Sequence, residues 1–221
     1  MQRTITVRGT GKVTAAPDRI ELTMNLSALD PDYGQASEDM DRRTEALKGA
    51  LEAAGFGRDE LKTASFNVNT EYRGVHDPET GEYRQEFAGY RVFHGTTLGF
   101  PLDMARLADL LEGVAGSGAE PELSIRFTVS DPEVVRREAL RKAAADARDK
   151  AELLAAASGV KLGELLTIQY EWGDIRLESR TMMDTANGMV KPRMMKAAFA
   201  AEMAPEDIAF TDSAGFVWEI V

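Results

Sequence analysis

Few residues in this chain combine the type and the spacing that chemistry needs. Gly9, Thr10, Gly11, Lys12 and Val13 come nearest to a phosphate loop. They lack both the four-residue spacer before Gly-Lys and the Ser or Thr that should follow it, so the glycines read as a bulge or tight bend within a strand. Glu38, Asp39, Asp41, Glu45 and Glu52 crowd one stretch where a cation site or an acid–base pair would be the chemical reading. Nothing around them follows a calcium-loop pattern, and a solvated helix face accounts for them. Of the two histidines, His76 sits beside a turn and His94 on a strand, with no Ser or Asp motif to complete a triad. Two imidazoles also make a poor metal cage. The absence of cysteine excludes thiolate nucleophiles, thiolate metal sites and disulfides. No catalytic, cofactor-binding or metal-ligating residue is assigned, and the chain reads as a protein that is not an enzyme.

One stretch differs in kind. Met182, Met183, Met189, Met194, Met195 and Met203 are six of the ten methionines, and Arg176, Arg180, Lys191, Arg193 and Lys196 make the same stretch locally basic. Flexible thioethers suit adaptable apolar contacts, so these methionines read as an interaction surface for a second copy or a protein partner. The competing reading is a variable loop over about 176–204, with a short helix from Met194 to Ala204 that merely caps the core.

Periodicity places these residues on elements. Ile20, Leu22, Met24, Leu26 and Ala28 alternate as a half-buried strand, preceded by a strand holding Ile5, Val7 and Val13. Asp30 and Pro31 open a helix with Tyr33, Ala36, Met40, Leu47, Leu51 and Ala54 inward, stopped at Gly55. Ala64, Phe66, Val68, Thr70 and Tyr72 form one arm of a long hairpin, Tyr90, Val92, Thr96, Leu98 and Phe100 the other, with Asp77 to Gly81 as the turn. A second helix follows Asp103, and Leu123, Ile125, Phe127 and Val129 make the next strand. The third helix starts at Asp131-Pro132 and buries Leu140, Ala144, Ala147, Ala151 and Leu154, with Glu138–Lys142 and Asp146–Lys150 as ion pairs one turn apart. Leu166, Ile168, Tyr170 and Trp172, then Phe210, Ala214, Phe216, Trp218 and Ile220, complete the strands. The order describes an α+β fold: an antiparallel or mixed sheet packed by about three long helices. The strand–helix–strand passages around the first two helices hint at a weak internal duplication.

Bulk properties narrow the partners. A chain of 221 residues suits one domain over 1–221, and 43% hydrophobic with 29% charged residues is ordinary globular composition. A net charge of -11 argues against nucleic acid and against docking on anionic membranes. No apolar run nears the roughly 18 residues of a spanning helix. The sequence passes from Met1 straight into strand-like alternation without a basic and then apolar leader. The expectation is therefore a cytoplasmic protein as written, or a periplasmic or extracellular one if the sequence is a clipped precursor.

Several segments together resemble the SIMPL-domain family, bacterial periplasmic and outer-membrane-associated immunogenic and oxidative-stress-defence proteins. They are Ile5–Val13 (ITVRGTGKV), Ala16–Ile20 (APDRI), Gly89–Val92 (GYRV), Phe127–Asp131 (FTVSD), the Ala139–Gly159 helix with its DARDKA run, and Phe216–Val221 (FVWEIV). The resemblance spans nearly the whole chain. It implies long helices on antiparallel sheet, a role in envelope stress defence, and no catalytic residues to carry over; Gly9, Gly11, Pro17, Asp18, Gly89 and Tyr90 look like fold markers. The function expected is a noncatalytic, self-assembling protein, a homo-oligomer held by sheet edges and the Met-rich segment. The alternatives are a protein- or peptide-binding module and, third, a metal-dependent enzyme built from scattered carboxylates.

Overall fold

The computed structural model describes residues 3–76, 83–171, 176–184 and 204–221. In chain order the elements are β1 (Thr4–Ala15), β2 (Arg19–Asp30), α1 (Tyr33–Ala53), a 3-10 turn (Arg58–Glu60), β3 (Lys62–His76), β4 (Tyr83–Pro101), α2 (Met104–Gly116), β5 (Glu122–Thr128), α3 (Pro132–Ala157), β6 (Leu162–Gln169), β7 (Glu178–Asp184) and β8 (Ile208–Ile220). The strands form a three-stranded sheet, β1-β8-β6, and a five-stranded sheet, β3-β4-β2-β5-β7. The β1–β8, β6–β8, β2–β4 and β3–β4 ladders all run antiparallel. This is the α+β architecture expected.

The chain divides into two compact units. One comprises the described residues of Met1–Asp18, Thr128–Arg180 and Pro205–Val221; the other those of Arg19–Phe127 and Thr181–Ala204. In the second unit, α1 and α2 lie on one face of the large sheet. Alternation on β2 sends Ile20, Leu22, Met24, Leu26 and Ala28 to that face, where Met40, Leu47, Leu107, Leu110, Ile125 and Phe127 meet them. Helix α1 starts two residues later than its sequence suggests. Asp30 is still paired with Tyr90 in the β2–β4 ladder, so the cap is Asp32, whose Oδ1 accepts from the Gln35 N–H at 3.0 Å. Asp103 and Asp131 cap α2 and α3 where expected, with Pro132 in the first turn of α3.

In the first unit α3 packs on the small sheet, and here the expected register needs correcting. The buried stripe is Val135, Ala139, Ala143, Ala147, Ala151 and Ala155, while Ala144 and Leu154 are exposed. Strand β1 is the reason. It is continuous, with an unbroken register from Thr4 opposite Glu219 to Ala15 opposite Ile208, so Gly9 and Gly11 mark no bulge. A Cβ on Gly9 would lie 1.9 Å from the Ala143 carbonyl oxygen, and one on Gly11 1.8 Å from that of Ala139. The glycines let the strand lie directly on the helix backbone, which only the smallest side chains of α3 permit. Asp18, from the APDRI segment, ties this unit to FTVSD: its carboxylate accepts from the Ser130 N–H at 2.5 Å and hydroxyl at 2.7 Å, and its own N–H donates to Thr128 O.

Candidate association surface

A surface for contact is set by which strand edges and faces the fold leaves open. An uncovered edge presents unpaired N–H and C=O groups, a template for another strand unless something blocks it. The outer edge of β1 is blocked by α3. The Asp146 carboxylate accepts from the Thr10 N–H at 2.7 Å, Lys150 Nζ donates to Arg8 O at 3.4 Å, and Lys142 Nζ to Lys12 O at 3.3 Å. Lys150 also pairs with Asp146 at 2.6 Å, as its spacing predicts. That ion pair, and then the Thr10 N–H, hold the Asp146 carboxyl below its ordinary range. The expected Glu138–Lys142 pair gives way to Glu138–Arg141 at 3.7 Å, as Lys142 reaches the strand.

At the edge of the large sheet, β3 is open among the described residues: it pairs with β4 alone, and apart from Glu71 and Val75 its residues are exposed on both faces. Register shifts fall at Thr63/Ser65 and Glu71/Tyr72; between them Ser65 to Glu71 run regularly, without proline or lysine. The hairpin also overhangs its support. The β2 ladder ends with Asp30 opposite Tyr90, so among the described residues the stretch from Tyr83 to Gly89 has β3 as its only partner strand.

Aromatic rings follow this arm. Phe66 is 59% exposed and packs edge-on against His94, and Tyr72, 55% exposed, meets Phe87, which meets Tyr90, which in turn meets Tyr33 of α1. Nearer the tip, His76 lies edge-on to Tyr83, itself 61% exposed. Arg91 fixes the ladder from within: NH2 donates to Glu71 Oε1 and NH1 to Ser27 Oγ, at 2.8 and 2.9 Å. The Glu71 carboxyl is held below its usual range by the Arg91 hydrogen bond.

The candidate chemistry resolves into structure. His94 Nδ1 lies 3.2 Å from Thr44 Oγ1 of α1 and Nε2 3.0 Å from Thr63 Oγ1 of β3, so both ring nitrogens are engaged by hydroxyls that serve either tautomer. Burial, and then the charge of Lys48, push its pKa down. The acidic residues of α1 face solvent and basic neighbours, among them Glu45 with Lys48 and Arg58 at 2.9 and 2.8 Å. Among the described residues no group of three or more His, Asp or Glu side chains is placed to hold a metal ion, and no helix is long and apolar enough to cross a membrane.

Of the methionines expected to form an interaction surface, Met182 is 62% exposed on β7 and Met183 follows it in that strand. Met189, Met194, Met195 and Met203, the short helix expected from Met194, Trp172 and the Asp77–Gly81 turn lie outside the described residues. Strand β7 itself was not expected. Phe66, Val68 and Tyr72 were expected as strand residues but not as open surface, and Phe87 was not singled out. The available signal was length: an arm running from Ala64 past Tyr72 is longer than the strand holding Ile20 to Ala28 that should support it.

Fold and surface together define a class: an α+β protein with helices on antiparallel sheets, an exposed aromatic hairpin, and no assembled reaction centre among its described residues. The chain belongs to the SIMPL family, described as a protein of unknown function (DUF541), whose profile matches residues 5–218. It is 25% identical to the uncharacterized protein YggE of Edwardsiella ictaluri (strain 93-146), over 98% of this chain and 86% of that one. It is 30% identical to the 26 kDa periplasmic immunogenic proteins of Brucella melitensis biotype 1 and Brucella abortus (strain S19), over 74% of this chain and 65% of theirs.

Proposed function

We propose that this chain is a noncatalytic, self-assembling protein of the cell envelope or its stress defence, associating through the β3 edge and the aromatic strip beside it. One observation carries the reading: β3 is a long edge strand, exposed on both faces and bearing Phe66, Val68 and Tyr72, whereas the β1 edge is closed by helix side chains. Main-chain pairing at such an edge supplies affinity and the exposed aromatic side chains beside it supply selectivity. The Met-rich segment, entered through Met182, adds a second adaptable contact. The periplasmic names of the Brucella relatives favour the envelope as the setting.

Multi-angle light scattering over a wide concentration range tests this. The double variant Phe66→Lys/Tyr72→Lys places charge on exposed positions without touching the core, and it is expected to reduce the assembled mass to that of the single chain. A wild-type protein that stays monomeric throughout would overturn the reading. The same edge is also a template for an extended peptide from another protein; a monomer that captures a strand-forming peptide, and loses it in the double variant, would identify that function instead.

A further inference from the structure

The outer face of the β1-β8-β6 sheet carries a hollow of about 530 Å³, inside the span of small-molecule sites, about 300–1,000 Å³. Its floor is Gly215 of the central strand, opposite Arg8 of β1 on one side and Gln169 of β6 on the other. Val7 and Ala214 bury their side chains on the helix face and so present main chain here. Gly9 and Gly11 are demanded by packing, but Gly215 is not. A Cβ there would make only ordinary contacts, 3.5 Å from Gln169 Cβ and Oε1. Glycine inside a strand weakens it relative to alanine and often marks where a ligand or another backbone approaches.

Two of the charges lining the hollow, Arg8 and Glu171, have no opposite charge paired with them among the described residues. Arg8 Nε and NH2 donate to Ser213 Oγ at 3.1 and 2.6 Å, and the guanidinium meets no carboxylate among the described residues, although acids outnumber bases 37 to 26 in the chain. The nearby Asp212 is already engaged, by the Tyr170 hydroxyl at 2.9 Å and the Ser213 N–H at 2.7 Å. Glu171 also lines the hollow, with no hydrogen bond or ion pair to any described residue. Another hollow, about 460 Å³ on the other unit, shows the contrast: Arg19 lies over Gly99 and has its own carboxylate, Glu21, at 3.9 Å.

We propose that the Gly215 hollow binds a small zwitterion of the amino-acid type, its carboxylate on the free donors of Arg8, its ammonium on Glu171, and its body over Gly215 beside the Gln169 carboxamide. A free amino acid and a short peptide share this chemistry. The site does not depend on the assembly reading, because it uses neither β3 nor the Met-rich segment.

Calorimetric titration of the full chain with L-alanine and with alanyl-alanine tests the assignment, using acetate and ethylammonium as half-ligands. Saturable binding of a zwitterion is expected, tighter than either half-ligand, and the tighter of the two zwitterions identifies the source. Arg8→Gln and Glu171→Gln should each weaken it about tenfold, the loss of one charge-assisted contact. Gly215→Val should abolish binding while thermal unfolding shows a Tm unchanged or raised. Absence of saturable heat for both zwitterions, equal binding by acetate, or wild-type affinity in both charge variants would overturn the proposal.

Discussion

A single atom decides much in the small sheet. A methyl at Gly11 would need the space of the Ala139 carbonyl oxygen, which belongs to helix backbone and cannot rotate away. Gly11→Ala must therefore lift β1 from α3, and the expected loss is about 3 kcal/mol, the upper end of the range for overpacking; equilibrium urea unfolding measures it. His94 makes a different residue-scale prediction. Its folded pKa is lowered by burial and by Lys48, so the folded state favours the neutral ring. That contribution is complete above the unfolded value, near 6.5, and is lost as pH falls through the lowered folded value. Stability should drop between neutral and mildly acidic pH, and a His94→Gln variant should show a shallower drop from a lower starting point. Thermal unfolding across that range in both proteins is the measurement; parallel curves would remove His94 from the account.

At the level of elements, α3 both covers a sheet face and seals an edge. Removing the Asp146 carboxylate in Asp146→Ala leaves the Thr10 N–H and Lys150 without their shared partner. The variant is expected to be less stable and, with part of the β1 edge exposed, to associate at lower concentration, read by scattering beside the melting curve. The elements also show where sequence reading succeeds. Alternation of Ile20 to Ala28 and the Asp131-Pro132 cap were legible because period and capping are local properties. The stripe of α3 was legible only at Ala147 and Ala151, because ranking by hydrophobicity also selects Leu140 and Leu154, whereas the two glycines of β1 select alanines. Gly9 and Gly11 signal close approach only once their partner is known. In β3 the alternation of Phe66, Val68 and Tyr72 was visible, but whether a helix covers it depends on the lengths of other elements. Likewise the Arg8–Gly215–Gln169 row exists only in the register of three strands distant in sequence.

For the whole molecule, charge opposes contact. At a net charge of -11, copies repel at low ionic strength, and this repulsion is screened within about 10 Å at 0.1 M salt. If apolar contact and main-chain pairing drive assembly, added salt should raise the assembled fraction in light scattering; a fall with salt would point to ion pairs as the driving contacts. The open β3 edge also sets a counting rule. Antiparallel pairing of one β3 with the β3 of a second copy is a two-fold contact in which each surface meets itself, so it consumes both edges and closes at two chains. Growth beyond a dimer then needs a second, different interface. The exposed Leu165, Leu166 and Ile168 of β6 offer one such surface, on the sheet whose β1 edge is sealed. A protein built this way would assemble in even steps, with β3 pairing coming first: disruption of β6 contacts would stop it at pairs, and disruption of β3 would return it to single chains.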